Sequence, residues 1–325
     1  MTLRESFRFI DLAPETETFE SAVCSGLAMT PKCLPSKFFY DATGSRLFEE
    51  ICTLPEYYPT RTEMALLARN AANLAHRIGP RAQILEFGAG ALDKVRILLR
   101  ALERPSGFTA VDISGEHLKE AADELAQDFP ELPITAVAAD YTQPLPLPEP
   151  LAASTERRIG FFPGSTIGNF TPEAAEAFLK VIRPIFEPRG LLIIGVDLKK
   201  DPAILNAAYN DAAGVTARFN LNLLARINRE LGGDFDLGAF RHKAFYNEAE
   251  GRIEMHLESL AKQKVHVKDR IFDFVRGETI RTEISCKYSM DEFRTLAAKA
   301  GWQGVTCLTD PERLFSIHLL APNPV

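Results

Sequence analysis

Apolar and polar positions follow two different rhythms along this chain. Between residues 83 and 197, short continuous apolar runs alternate with stretches of helical period. The run Gln83 to Phe87 reads as a buried strand that passes directly into Gly88-Ala89-Gly90. A helix is expected over 94–102, a strand over 108–111 closed by Asp112, a helix over 116–129, and a strand over 134–138 that leads to Asp140. A further strand over 159–162 runs into Pro163-Gly164-Ser165. Thr171-Pro172-Glu173 opens another helix, with an N-cap residue, a proline in the first turn and an early acid. The run 190–196 is apolar throughout and ends in Asp197. Strands of this kind, alternating with helices, predict a parallel sheet covered on both faces. Upstream, Thr60 and Glu63 have the spacing of a capping box, which predicts a helix from there to about Ile78.

The second rhythm starts near residue 199. A helical stretch over 203–231 is interrupted near Gly214 and stopped by Gly232-Gly233, and longer alternating strands follow at 252–257 and 281–288. The first rhythm returns at Ser289, whose capping box with Glu292 opens a helix closed by Gly301, before final strands at 305–308 and 315–320. The first sixty residues are loop-rich, with Phe38-Phe39-Tyr40-Asp41, a short helix from Thr43-Gly44-Ser45, and Leu54-Pro55-Glu56-Tyr57-Tyr58-Pro59 after it. Those aromatics fit an ordinary core. The expected fold class is α/β. A Rossmann-like sheet is expected from 61–198 plus 288–325, and an α+β domain from 1–60 plus 199–287. Ligands of open α/β sheets bind beyond the carboxyl ends of the strands, so the two modules are expected to meet over that edge. The proline-rich stretch 144–150 reads as a loop.

Composition narrows the partners. The 325 residues are 46% apolar and 25% charged, with a formal charge of −7 and no basic block, which argues against nucleic acid or an acidic membrane surface. No apolar run approaches a membrane span, and the charged N-terminus is unlike a secretory signal. Five cysteines at 24, 33, 52, 286 and 307 form no C-x-x-C, and six histidines fall at no metal-ligand spacing. Reduced thiols, a cytoplasmic location, a monomer and no metal are expected.

The glycine loop carries the first chemistry. Asp112 follows Gly90 by 22 positions and ends the second strand, where a carboxylate can accept both hydroxyls of a ribose. Asp140, with Tyr141, suits an adenine amino group and ring. A dinucleotide fold wants G-x-G-x-x-G against a pyrophosphate, but the sixth position here is Asp93, and Glu86 precedes the glycines. Two acids repel a pyrophosphate and suit a cationic ligand. S-adenosylmethionine is the better match, with NAD and a purely structural turn as the other readings.

Two further groups are ambiguous by residue type alone. Gly164-Ser165-Thr166-Ile167-Gly168-Asn169 offers backbone N–H groups to a small carboxylate, or is simply a tight turn entering a helix. Glu283 and Ser285 share a strand face about 7 Å apart. They can bracket a five-membered ring with two nitrogens, or belong to a solvent-facing stripe that Lys287 continues.

Together, LPEYYPTR at 54–61, GSTIGN at 164–169, YNDAAGVTARFN at 209–220, RIEM at 252–255 and TEISCK at 282–287 resemble the S-adenosylmethionine-dependent histidine Nα-methyltransferases of ergothioneine biosynthesis. The resemblance runs from the Lys37–Asp41 region to the C-terminus. It implies transfer of three methyl groups to the α-amine of L-histidine, giving hercynine. It also implies that Glu86, Gly88, Gly90, Lys94, Asp112, Asp140 and Tyr141 hold the methyl donor. Tyr57, Gly164, Asn169, Tyr209, Met255, Glu283 and Ser285 would hold the substrate, with the hydroxyls of Tyr40 and Tyr57 helping the amine lose its proton. Relatives acting on tryptophan derivatives lack the acidic ring reader. Phe87-Gly88-Ala89-Gly90-Ala91 departs from the Leu-Gly-Ser-Gly-Thr of many members. The same chemistry on another amino acid such as tryptophan, a non-catalytic donor-binding protein and an NAD-dependent oxidoreductase are the alternatives.

Overall fold

A computed structural model of the chain describes residues 7–12, 18–113, 115–144 and 156–324. The proline-rich stretch therefore lies outside the described residues from 145 on. The chain divides into two compact units: Met1–Glu15, Pro59–Leu198 and Tyr288–Val325 form one, and Thr16–Tyr58 with Lys199–Lys287 the other.

The first unit is built on an eight-stranded sheet. Its order is Phe7–Asp11, Ile134–Ala138, Gly107–Asp112, Gln83–Phe87, Arg158–Phe162, Leu191–Asp197, Phe315–Pro322, Trp302–Thr309. The first six strands are parallel, and Phe315–Pro322 pairs antiparallel with both of its neighbours, Leu191–Asp197 and Trp302–Thr309. The alternating strands and helices of the sequence thus give a doubly wound sheet of the class I methyltransferase type. Chain order reverses between Gln83–Phe87 and Arg158–Phe162, which makes their carboxyl ends the switch point where such sheets bind ligands. The core follows from the apolar runs. Ile84, Phe108, Ala110, Ile134, Phe161 and Ile193 on the strands pack with Leu66, Leu67 and Leu74 of helix Tyr58–Ile78 and Val95 and Leu98 of helix Asp93–Ala101, all buried.

Two expectations fail here for physical reasons. Residues 1–60 were assigned wholly to the second module, but Phe7–Asp11 lies at the edge of the first sheet, parallel to Ile134–Ala138. A five-residue edge strand with one covered face carries too little periodicity to declare its sheet. The capping box is also absent: the helix starts at Tyr58, so Thr60 lies inside it, and Glu63 turns inward, 1% exposed. By contrast, Thr171 and Ser289 cap their helices as the spacing predicts, the latter in a full capping box with Glu292.

The second unit has a four-stranded sheet in the order Lys32–Cys33, Thr279–Cys286, Arg252–Ser259, Phe240–Asn247, and a separate hairpin of Gln263–Val267 and Arg270–Phe274. Helix Pro202–Ala208 ends before Tyr209, earlier than the break expected near Gly214. Helix Val215–Leu231 then starts with its first amides capped by Asp211, whose carboxylate accepts from the N–H groups of Val215 (2.7 Å) and Thr216 (2.8 Å). Tyr209 is thereby held in a short, capped connection between two helices. The central strand pair carries a bulge between Arg281 and Glu283, and Glu283 lies directly opposite Met255.

Candidate active site

At the switch point the first unit brings its predicted residues together. Gly88 has φ 66° and its N–H bonds to the carbonyl of Val111 at 2.9 Å, which folds the loop back over the neighbouring strand. Any other residue is strained at that φ. A side chain at Gly90 would meet nothing within 4 Å, so the loop leaves room for a ligand there. The Tyr141 hydroxyl leans over Gly88, 3.4 Å from where a Cβ would stand, and its ring packs against Phe87, Phe162 and Phe178. Burial, with Asp112 and Asp140 adding repulsion, holds the Tyr141 phenol protonated. Asp112 ends its strand, and Asp140 accepts from the N–H (2.9 Å) and hydroxyl (2.6 Å) of Thr142.

Beneath the loop lies a charge cluster that sequence reasoning missed. Glu63 accepts from Lys94 Nζ at 2.6 Å and from the Gly164 N–H at 2.8 Å and 3.0 Å. Gly164 has φ 79°, and a Cβ there would stand 3.3 Å from Lys94 Nζ. The amide that the glycine turn offered to an incoming carboxylate is thus engaged by one of the chain's own, which corrects that part of Gly164's expected role. Ser165 turns its hydroxyl to accept the N–H of Asp197 at 2.9 Å, and Asn169 ends the short helix Thr166–Asn169. Glu86 is 2% exposed and its Oε2 has no hydrogen-bond partner. Burial pushes its carboxyl well above the usual range; Lys94 opposes this, while Glu63 and Asp112 reinforce it. In the sequence Glu63 shows only through its capping-box spacing from Thr60, which does not point to Lys94. Its partner, Gly164, is 101 residues away.

The second unit gathers the remaining predicted residues. Tyr40 follows the short helix Ser36–Phe39. Asp41 caps Ala42–Thr53 through the Gly44 N–H (2.7 Å) and is gripped by Asn222 (2.8 Å) and Arg229 (2.5 Å), which ties this corner to helix Val215–Leu231. The rings of Tyr40, Phe48, Tyr57, Tyr209 and Phe219 form a chain of edge and tilted contacts between 5.7 and 6.3 Å. Phe48 and Phe219 were not singled out in the sequence. Burial holds the Tyr57 phenol well above its ordinary pKa, with Tyr209, Cys52, Glu283 and Tyr40 contributing. Met255 is 1% exposed opposite Glu283. Burial pushes the Glu283 carboxyl up to about 7, against the pull of Lys287.

Lys287 is not part of a solvated stripe, as its spacing had allowed. It is 2% exposed and donates to Ser285 Oγ (2.8 Å) and the Tyr209 hydroxyl (3.2 Å). Behind the bulge, Thr282 donates to Asn220 Oδ1 at 2.7 Å. Asn220 Nδ2 donates to the His256 carbonyl (3.0 Å) and to His242 Nδ1 (2.9 Å), so His242 Nε2 carries the proton given to the Tyr209 carbonyl at 2.9 Å. This neutral relay joins the strand that carries Glu283 to the backbone of Tyr209. Among the described residues, no cluster of three or more His, Cys, Asp or Glu could hold a metal, and no helix is long and apolar enough to cross a membrane.

Residues 19–322 match the family model described as histidine-specific methyltransferase, SAM-dependent. A histidine N-alpha-methyltransferase of Mycolicibacterium smegmatis is 41% identical over 309 residues, covering 93% of this chain and 94% of that protein. One of Mycobacterium tuberculosis is 42% identical over 310 residues, covering 92% and 93%. Ergothioneine biosynthesis protein 1 of Neurospora crassa is 32% identical over 313 residues, covering 90% of this chain and 33% of that protein.

Proposed function

The chain belongs to the family of S-adenosylmethionine-dependent, histidine-specific methyltransferases, and we propose that it transfers three methyl groups in succession to the α-amine of L-histidine, giving hercynine for ergothioneine biosynthesis. The observation that carries the histidine reading is Glu283. It is a partly buried carboxyl poised near neutrality, directly opposite Met255, with Ser285 two residues along the same strand. Ionised, it accepts one imidazole N–H, and a side chain that offers no N–H leaves it unpaired at a cost beyond lost contact area.

The first unit's residues fit the methyl donor. The open space at Gly90, the orphaned Glu86 Oε2 and the strand-end Asp112 suit a ligand with a sugar and cationic groups and no phosphate. Asp112 would accept the ribose hydroxyls, and Asp140 with Tyr141 would take the adenine. Gly88 and Lys94 would bind the amino-acid end. When bound, the donor supplies a methyl carbon already electrophilic on a sulfonium. Asn169 and Tyr209 would each take one of the substrate's backbone groups, the carboxylate or the amine. The Tyr57 phenol stays protonated, so it serves as a hydrogen-bond partner for the departing proton and not as a phenolate base, with Tyr40 beside it. Partial burial disfavours the ammonium and so favours the neutral, nucleophilic amine. The aromatic faces of this unit tolerate the final quaternary cation. On this reading the protein works in the cytoplasm as a monomer, without metal, nucleic acid or membrane; its formal charge of −7 supports the exclusion of nucleic acid.

Mass spectrometry of an amino-acid panel incubated with S-adenosylmethionine tests the reading. Gains of one, two and three methyls on histidine alone are expected. Methylation of tryptophan in its place, or binding without turnover, would overturn it.

A further inference from the structure

Among the described residues Lys287 is the one lysine or arginine in the fully buried class. Burying an ammonium is costly unless its protons are met. Lys287 meets two of them with hydroxyls, Ser285 Oγ at 2.8 Å and Tyr209 at 3.2 Å, and lies 5.1 Å from the Tyr209 ring centre. Its own N–H continues the strand ladder to the Gly251 carbonyl at 2.8 Å, which holds the side chain in register with Glu283 and Ser285.

An ammonium has donors and no acceptor. In the contact with Lys287, Ser285 is therefore the acceptor, and its one hydroxyl proton points elsewhere. The titratable groups around Glu283 are Lys287 on its own strand, Tyr57 before helix Tyr58–Ile78, and, clustered about Tyr57, Tyr40, Cys52 and Tyr209. Tyrosines and a cysteine are uncharged at neutral pH and do nothing to ionise a carboxyl. Lys287 is the cation whose field opposes the burial of Glu283.

We propose that Lys287 fixes the hydrogen-bond polarity of the ring reader: it makes Ser285 a donor and Glu283 an acceptor, so that the strand takes a five-membered ring with one N–H and one bare nitrogen. The inference rests on the histidine reading above and deepens it, because it selects the neutral imidazole over the imidazolium, whose two N–H groups mismatch a donor. Lys287 is a positioning residue: it acts through Ser285 and Glu283 and does not itself touch the ring.

The test is the pH profile of kcat/KM for the full-length enzyme with S-adenosylmethionine, measured with L-histidine and with 1,2,4-triazolylalanine, whose ring stays uncharged over the range. Ionised, Glu283 accepts through both oxygens and more strongly than the neutral acid does through its carbonyl alone, so activity rises with pH through its titration. In Lys287→Met the acid limb should move up by a pH unit or more with both substrates, so that kcat/KM falls at least tenfold more at pH 6.5 than at pH 8.5. Lys287→Arg should restore the limb to within half a unit, and affinity for S-adenosylhomocysteine should stay within twofold in both. A limb unmoved in Lys287→Met, with activity lowered evenly at all pH, would overturn the proposal. Should Lys287→Met not fold, Lys287→Gln, which keeps two donors and removes the charge, is read in the same way: a raised acid limb with the triazole substrate supports the proposal, and an unmoved limb refutes it. Wild-type turnover of histidine in the same series tests the substrate reading alone, so the two failures are distinguishable.

Discussion

Among the described residues each unit carries one glutamate driven toward its neutral form by burial, and the two differ in what surrounds them. Glu86 lies one residue before the end of the Gln83–Phe87 strand and within the field of Lys94, but Lys94 is bound to Glu63 at 2.6 Å, and Glu63 and Asp112 both repel a second negative charge. One cation among three acids leaves Glu86 well above the ordinary range. Glu283 faces tyrosines, and Lys287, which donates to two neutral hydroxyls, pulls it back to about 7. A buried carboxyl is therefore not one kind of site. Beside a committed cation it is a neutral group waiting for a cationic ligand, and beside a cation engaged by hydroxyls it is an acceptor poised at physiological pH.

The largest expected effect is at the poised member of the pair. Glu283→Ala should lower kcat/KM for histidine by about 10³-fold or more, since a site built to accept an N–H discriminates by 10⁴–10⁵, and should narrow the histidine-to-tryptophan ratio. Steady-state assays with both amino acids check it, and an unmoved ratio breaks the contrast with Glu86. Next comes the cation that Glu86 does not get. Glu63→Ala removes the partner of Lys94 and the acceptor of the Gly164 N–H, and should cost about 3 kcal/mol of stability in urea unfolding. Adding Lys94→Met should recover part of the loss, and a fully additive double variant would show the pair to be independent.

Asp112→Ala probes the donor side. Losing a charge-assisted pair of bonds should weaken S-adenosylhomocysteine by about 10- to 100-fold in calorimetry, with the fold intact. Unchanged affinity would remove Asp112 from the ribose. The smallest effect sharpens the comparison most. Glu86→Gln exchanges a protonated acid for an amide of the same shape, so stability of the free protein should change by about 1 kcal/mol or less. At neutral pH, Glu283→Gln should lose most histidine activity, because a neutral amide oxygen is a weaker acceptor than a carboxylate. A large, pH-dependent loss of stability in Glu86→Gln would mean that Glu86 is ionised after all.

The residues proposed to bind the methyl donor were legible because they are local. A strand, a glycine turn and a strand-end acid lie close in sequence, and Gly88, Asp112 and Asp140 fall where strand periodicity puts them. The proposed ring reader was legible only through the resemblance of TEISCK and RIEM to a family. By residue type alone Glu283 and Ser285 read equally as a solvated face, and Lys287 strengthened that wrong reading. What separates the cases is the Tyr209 hydroxyl, 78 residues earlier, which meets the ammonium and pays for its burial. Glu63 is the same lesson in the other unit. Its spacing from Thr60 spells a cap, yet its carboxylate is claimed by Lys94 and Gly164.

By itself, then, the sequence determined the alternation of elements, the doubly wound sheet, the turn at Gly88 and the family. These follow from apolar periodicity and from backbone conformations that few residues can adopt. Tertiary structure alone decided that Phe7–Asp11 joins the first sheet, that a bulge sets Glu283 opposite Met255, and which charges are buried against which partners. Periodicity records how often a side chain faces apolar surroundings. The ionisation of an acid depends instead on the few groups within hydrogen-bond reach, and those arrive from anywhere along the chain.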